Sequence, residues 1–132
     1  MKSLVLLSAT ILVLAISGAA QTTYDQTSAA CHINNCTNAP LSGTSATLSY
    51  SDNVQYTNVP SPSVVGSLTY AGNSYNFYGH YFYVRQYVAG YGLWELTGTT
   101  TDGSITFIEY FKVGGWRGGG WATNLGGSLT VY

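Results

Sequence analysis

Two runs of alternating apolar and polar residues meet at the dipeptide Asp102-Gly103, a pattern typical of a β-hairpin. A tight turn at this dipeptide fixes the pairing register of the two strands, because each residue of one strand then has a defined partner in the other. The expected cross-strand pairs are Trp94 with Phe111, Leu96 with Glu109, and Gly98 with Phe107. These residues share the core face, on which Phe107 is expected to lie against the bare backbone of Gly98.

A second hairpin is predicted at Gly72-Asn73. Counting from this turn places four large side chains on one face of the strand pair and small polar ones on the other. The large side chains are those of Leu68, Tyr70, Tyr75 and Phe77. Helical periodicity is absent, and further strand-like runs are separated by turn residues. The sequence therefore predicts an all-β, antiparallel fold of about six to eight short strands, arranged as a barrel or a sandwich.

The first 20 residues have the pattern of an export signal. Met1-Lys2 is followed by an apolar stretch up to Ile16 and then by small residues, which predicts cleavage after Ala20. The apolar stretch is shorter than the roughly 20 residues that a membrane-spanning helix needs. We therefore expect a secreted, extracellular protein without a membrane span, in which residues 21–44 are an extended entry and residues 45–132 form one antiparallel β domain.

Charged residues are few. Beyond residue 20 the chain has three basic and five acidic residues, a formal net charge of −2. Nucleic acid is not an expected partner, because proteins that bind it concentrate Lys and Arg on one face. The chain has 12 tyrosines and only 7% charged residues, so electrostatic opposition to self-association is weak.

Cys31 and Cys36 are the only cysteines, and in an oxidising compartment they are expected to form one local disulfide. His32 lies between them, but no further ligands are close in sequence, so neither a metal site nor a cofactor is expected. Asn35-Cys36-Thr37 also matches a glycosylation acceptor pattern. A disulfide at Cys36 would compete sterically with a glycan there.

Glu109 is unusual, because the hairpin register places its carboxylate on the apolar face. A buried carboxylate without a partner costs several kcal/mol. Arg85 and Arg117 are the only arginines, so we expect Glu109 either to pair with one of them or to lie at a wet end of the core. The alternative is that Glu109 is a ligand-binding or catalytic acid.

Residues 75–94 are rich in aromatic side chains. Strict alternation from Phe77 would place several tyrosines inside and Phe82 and Val84 outside, which is the less apolar choice. We predict that a β-bulge near Gly79-His80 reverses this arrangement. An exposed ladder would result, whose rings and guanidinium suit the apolar faces and hydroxyl groups of sugars, although plain sheet packing is the alternative. The ladder residues are Tyr81, Tyr83, Arg85 and Tyr87.

The segment GGWRGGGW, residues 114–121, surrounds two tryptophans and an arginine with five glycines. Such a backbone lets a ligand approach closely, whereas in the alternative both indole rings fold back over an open end of the core. The complete set of candidate ligand contacts is Tyr81, Tyr83, Arg85, Tyr87, Trp116, Arg117 and Trp121.

Catalysis is not predicted. The sequence offers no Ser-His-carboxylate or Cys-His set, and Glu95 and Glu109 lie on opposite faces, whereas a glycosidase needs two converging carboxyl groups. The leading hypothesis is a secreted, non-catalytic module that binds carbohydrate. The alternatives are a structural extracellular protein that self-associates through tyrosines, and a barrel that carries a small apolar ligand. An enzyme with Glu109 as its acid is a further alternative, which requires that carboxyl group to open into a cavity.

Overall fold

The computed structural model describes residues 21–54, 61–114 and 121–132, with only the backbone of Trp121. The described residues form eight β-strands. They are β1 (Thr22–Gln26), β2 (Asn35–Pro40), β3 (Thr47–Asp52), β4 (Ser63–Tyr70), β5 (Asn73–Gln86), β6 (Gly92–Thr100), β7 (Ile105–Gly114) and β8 (Trp121–Val131). All neighbouring strands are antiparallel, in the order β1-β8-β7-β6-β5-β4-β3-β2. The predicted export signal, residues 1–20, lies outside the described residues.

The sheet curves into a nearly closed barrel, which confirms the predicted all-β, antiparallel class. Its two edges meet where Gln26, at the end of β1, forms an antiparallel bridge with Leu41, the residue after β2. Next to that bridge, the Ser42 backbone N–H donates to the Asp25 carbonyl over 2.8 Å. These contacts join the two sheet edges at this point, whereas an open sheet would leave both edges unpaired.

The segment before residue 45 differs from the extended entry that we expected. It contributes two strands to the sheet, β1 against β8 and β2 against β3. Its sequence shows little apolar periodicity because each strand buries only one or two side chains. Cys36 and Ala39 of β2 are buried, and the buried residue of β1 is a glutamine, Gln26.

The β6–β7 hairpin has the predicted register. Trp94 lies opposite Phe111, Leu96 opposite Glu109, and Gly98 opposite Phe107. At the turn, Gly103 has a φ of 75° and its N–H donates to the Thr100 carbonyl. Asp102 accepts hydrogen bonds from the side chains of Thr100 and Ser104 and from the Ser104 N–H, and these bonds lower the pKa of its carboxyl group.

The β4–β5 hairpin turns one residue earlier than predicted. Its two-residue loop is Ala71-Gly72, both with positive φ, and Tyr70 pairs with Asn73. Moving the turn by one residue shifts the cross-strand partner of each residue by two positions. Because side chains alternate between faces with a period of two, the faces stay as predicted. Leu68 and Phe77 are buried. The residues on the opposite face, between these two and the turn, are exposed.

Aromatic rings fill the middle of the barrel. Phe77 and Phe107 make an edge-to-face contact with ring centroids 5.0 Å apart, and Tyr50 lies 5.5 Å from Phe107. Tyr81 and Phe111 extend this core, with ring centroids 6.5 Å apart. All five side chains are almost completely removed from solvent.

The predicted bulge near Gly79-His80 is absent, and that prediction is wrong. Pairing between β5 and β6 runs without interruption from Phe77 to Tyr83, and the bulge lies between Tyr83 and Arg85. Tyr81 therefore points inward and is fully buried. Its hydroxyl group donates to Asp52 over 2.8 Å, so that burying a phenol at this position leaves no unpaired donor.

Close packing at Gly98 predicts the effect of a single methyl group. A Cβ at this position would overlap the Phe107 ring, so Gly98→Ala should lower the free energy of unfolding by about 1–3 kcal/mol. Chemical denaturation measures this change, and Thr99→Ala on the other face of the same strand should alter it by less than about 0.5 kcal/mol. The double variant with Gly98→Ala and Phe107→Leu should lose less stability than the sum of the two single losses, because the smaller side chain relieves the overlap. Full additivity would contradict the proposed overlap.

Candidate binding site at the loop end of the barrel

Strand direction sorts the connections between two ends of the barrel. Because the strands alternate in direction, β1, β3, β5 and β7 all end at the same end of the barrel, here called the loop end. The opposite end holds the two tight turns, Ala71-Gly72 and Thr101–Ser104. Binding residues usually collect on loops that a rigid sheet holds together, which makes the loop end the candidate location of a site.

Part of the loop end is capped by the connection between β1 and β2. This connection is closed by the Cys31–Cys36 disulfide, as predicted, and it buries Ile33 in the core. The Asn34 N–H donates to the Tyr81 hydroxyl over 3.2 Å, while the Asp52 N–H donates to the Asn34 carbonyl over 2.9 Å. Both cysteine sulfurs are in the disulfide, so His32 has no thiolate beside it with which to hold a metal.

Beside this cap lies an open depression of about 350 Å³ with aromatic walls. Tyr83 and Trp94 form one wall, with ring centroids 5.6 Å apart and planes at 68°. Tyr91 and the amide side chain of Gln86 complete the polar and aromatic part of the lining. The lining as a whole is Tyr83, Gln86, Gly90, Tyr91, Gly92, Trp94 and Val113.

Glycine at position 92 lets these rings lie close to the backbone. A Cβ at Gly92 would lie 2.8 Å from Cε1 of Tyr83 and 3.2 Å from Nε1 of Trp94. Any other residue at this position would therefore push one or both rings away from the strand. The depression depends on a bare backbone at its floor.

The bulge between Tyr83 and Arg85 decides which side chain enters the depression. One inserted residue moves every following side chain to the other face of the strand. Gln86 consequently pairs with Gly92 and lines the depression, while Arg85 pairs with Leu93 and is exposed at the rim. Unbroken alternation would have placed the guanidinium of Arg85, instead of the amide of Gln86, beside Tyr83.

Two cationic side chains lie over tyrosine rings around this depression. The Arg85 guanidinium carbon is 5.7 Å from the Tyr87 ring centroid, and the Lys112 ammonium nitrogen is 4.8 Å from that of Tyr91. Both distances fall within the range of cation–π attraction. Arg85 also donates to the Gln86 carbonyl over 3.1 Å, which places its guanidinium next to the lining.

The candidate contacts predicted from sequence are thus divided by the fold. Tyr83 is in the depression, Arg85 and Tyr87 are exposed nearby, and Tyr81 is buried beneath them. Trp116 and Arg117 lie outside the described residues, as does the side chain of Trp121. The exposed ladder expected at two-residue spacing does not form, because Tyr81 faces the core.

Sequence reasoning missed Gln86 and Tyr91 and assigned Trp94 only to the core. Trp94 is mostly buried, yet it also lines the depression. The available signal was the glycine pair around Tyr91, since Gly90 has a φ of 83° and turns the chain tightly into β6. That turn brings the Tyr91 N–H to the Val88 carbonyl, 2.9 Å away.

Glu109 is fully buried, and its partner is an amide. Asn124 donates from Nδ2 to Glu109 Oε1 over 2.9 Å, and its Oδ1 accepts from Gln26 Nε2 over 3.2 Å. Arg85 is exposed, so the expected pairing with it does not occur, and Arg117 lies outside the described residues. A bulge in the β7–β8 pairing, next to Phe111, sets Asn124 opposite that residue and turns its side chain inward.

Burial raises the pKa of the Glu109 carboxyl group to about 8, and the hydrogen bond from Asn124 only partly opposes this effect. The group is therefore mostly a neutral acid at pH 7. Its second oxygen and the Tyr50 hydroxyl are both buried without a hydrogen-bond partner among the described residues. Burial is also the main cause of the raised pKa of Tyr50, and the nearby Glu109 carboxyl adds to it. Glu109 does not line the depression, which is built from other side chains.

Stability should fall as the pH rises, because the folded protein holds the Glu109 proton more tightly than the unfolded chain does. The contribution is complete below the unfolded pKa of 4.5, declines between 4.5 and about 8, and is lost above that value. Denaturation at pH 5 and pH 9 should differ by on the order of 3 kcal/mol. Asp52, whose pKa burial also raises, adds to the decline at lower pH.

Glu109→Gln should remove most of this pH dependence, since glutamine can still accept from Asn124 and does not ionise. Glu95→Gln, on the outer face of the neighbouring strand, is the matched control and should leave the dependence in place. A wild-type protein that is equally stable at both pH values would show that the carboxyl group is not held as a neutral acid.

Comparisons of this chain with protein-family models, with curated proteins and with solved structures found no match. Within the part of the chain that the structure describes, no helix has the length and apolar character needed to cross a membrane. The described residues also contain no group of three or more His, Cys, Asp or Glu side chains arranged to hold a metal ion. The geometry and chemistry of the loop end therefore carry the functional argument.

Proposed function

We propose that the protein is a secreted, non-catalytic module that binds carbohydrate at the loop end of its barrel. The observation that carries the proposal is the depression, which is lined by the aromatic residues Tyr83, Tyr91 and Trp94 together with Gln86. Sugar rings stack their C–H faces on aromatic rings, while their hydroxyl groups need directional donors and acceptors. An amide supplies both a donor and an acceptor, and each phenol supplies one hydroxyl group.

The shape of the site also suits an extended, water-exposed ligand better than an enclosed apolar one. The depression is open to solvent, and its lining combines aromatic residues with the polar residue Gln86. The barrel interior, in which a carried ligand would lie, is occupied by aromatic side chains such as Phe77 and Phe107. We therefore favour surface recognition at the loop end over transport inside the barrel.

Secretion is part of the proposal and has two supports. The first 20 residues have the charged start, apolar middle and small-residue end of an export signal. The Cys31–Cys36 disulfide closes the cap beside the site and is the kind of bond that persists in oxidising compartments.

Removal of one exposed ring should weaken binding. A panel of immobilised oligosaccharides identifies the strongest binder, which is then titrated while tryptophan fluorescence is followed, because Trp94 lines the site. Tyr83→Ala should raise the dissociation constant about tenfold, since a well-packed ring contact contributes about 1 kcal/mol or slightly more.

The matched control is Tyr78→Ala. Tyr83 and Tyr78 are exposed to similar extents, 52% and 56%, but Tyr78 lies on the outer wall of the barrel away from the depression. Binding should be unchanged in this variant. No binding to any glycan by the wild-type protein, or equal losses in the two variants, would contradict the proposed site.

A second candidate function, self-association in an extracellular structure, is favoured by one specific observation. The outer wall carries an apolar strip along β4 and β5 whose side chains are between 40% and 57% exposed. Within it, Val65 pairs with Tyr78 across the two strands. Exposed apolar residues grouped on one face in this way are typical of contact surfaces. The strip consists of Val65, Tyr78, Phe82 and Val84.

Sedimentation over a range of concentrations separates the two functions. Polymers that grow with concentration, and that disappear in a Phe82→Thr variant, would favour self-association through the strip. A monomer at every concentration would exclude it and leave the loop-end site as the functional surface. Phe82 is on the outer wall, so its replacement should leave the core and the depression intact.

A further inference from the structure

We infer that the ligand of the loop end is an acidic saccharide, one that carries carboxylate or sulfate groups, with Arg85 and Lys112 as the cations that select it. The inference rests on the proposed function, since it names the class of sugar that the same depression would take. The cations do not line the depression themselves. Each lies beside a residue that does: Arg85 beside Gln86, and Lys112 beside Tyr91.

Both cations are free to meet an anion. Among the described residues, neither the Arg85 guanidinium nor the Lys112 ammonium forms an ion pair with a carboxylate. Lys112 illustrates this best, because Glu95 is its diagonal neighbour on the outer face of the β6–β7 hairpin. The ammonium nevertheless lies over the Tyr91 ring instead of against that carboxylate. The Lys112 charge is therefore not neutralised by Glu95, although the strand register places that carboxylate close by.

The tyrosine rings keep the cations near the depression. A cation placed over a ring face is attracted by the ring quadrupole, which restricts a long side chain without neutralising its charge. Arg85 is held in this way by Tyr87 and Lys112 by Tyr91. An anionic group on a sugar that extends from the depression onto the outer face would then meet these positive charges.

The distribution of the acidic residues supports the same inference. Asp102 lies in a turn at the far end of the barrel, and Glu109 is buried in the interior. Asp52 is directed toward the Tyr81 hydroxyl and the Val54 N–H under the cap. None of these carboxyl groups lines the depression. In a chain with more acidic than basic residues, two unpaired cations at one aromatic site are a local concentration of positive charge.

The test uses matched pairs of immobilised glycans, each acidic oligosaccharide beside its neutral form. Uronate chains are paired with their methyl esters, and sulfated chains with their desulfated forms, so that the two members present the same rings. The acidic member should bind the wild-type protein about fivefold more tightly at low salt, with the difference shrinking near 0.5 M NaCl. An R85Q/K112Q variant should lose this preference while binding the neutral member as before.

The conservative variant R85K/K112R is the control and should retain the preference, because it keeps both charges. Thermal unfolding of each variant shows whether it is folded. Equal binding of acidic and neutral members by the wild type would overturn the acidic-ligand inference and leave carbohydrate binding in place. A preference that survives in R85Q/K112Q would overturn the assignment to these two cations. No binding to any glycan would instead refute the proposed function itself.

Discussion

Closure of the sheet by β1 is the constraint on which the rest of the structure depends. This short strand pairs with β8 along its length and bridges to Leu41 beyond β2, which turns an open sheet into a nearly closed barrel. Its last residue, Gln26, continues the closure inside by reaching Asn124, which in turn holds Glu109. Removing water from this interior is what keeps the Glu109 carboxyl group protonated near neutral pH. The polar contacts of Gln26, Asn124 and Glu109 thus lie in the same closed interior as the aromatic core.

The two ends of the barrel have different roles because their connections differ. Tight turns at one end, at Ala71-Gly72 and Thr101–Ser104, hold neighbouring strands in a single register. The loop end is shaped by a disulfide-closed cap and by a bulge in β5. The bulge is decisive for the site, since it places the neutral amide of Gln86 inside the depression and the charge of Arg85 outside it. In the proposed function, stacking and charge selection would consequently be supplied by different side chains.

The two hairpins show how much the sequence could predict. Alternation around Asp102-Gly103 was sufficient for the β6–β7 pairing, because a period of two and a tight turn leave one register that buries the apolar face. At the β4–β5 hairpin the predicted turn was wrong by one residue, but the predicted faces were right. A shift of two residues in the cross-strand partners leaves each side chain on the same face. The bulge in β5 was predicted four residues too early. The number of apolar side chains that would face the core favoured the earlier position. An inward Tyr81 is nevertheless stable, because its hydroxyl group donates a hydrogen bond to Asp52.

By itself, the sequence determined the all-β class, the local disulfide, the main hairpin register and the burial of Glu109. These follow from interactions between residues that are close in the chain or directly opposite each other in a strand pair. Only the tertiary structure decided the partner of Glu109, the place of β1 and the lining of the depression. Gln26 and Asn124 meet their partners through barrel closure and a bulge in the β7–β8 pairing, and the bulge in β5 turns Gln86 toward the depression. Local alternation contains no information about closure or bulges. The physical reason is that a curved, closed sheet brings together side chains that no single hairpin places in contact.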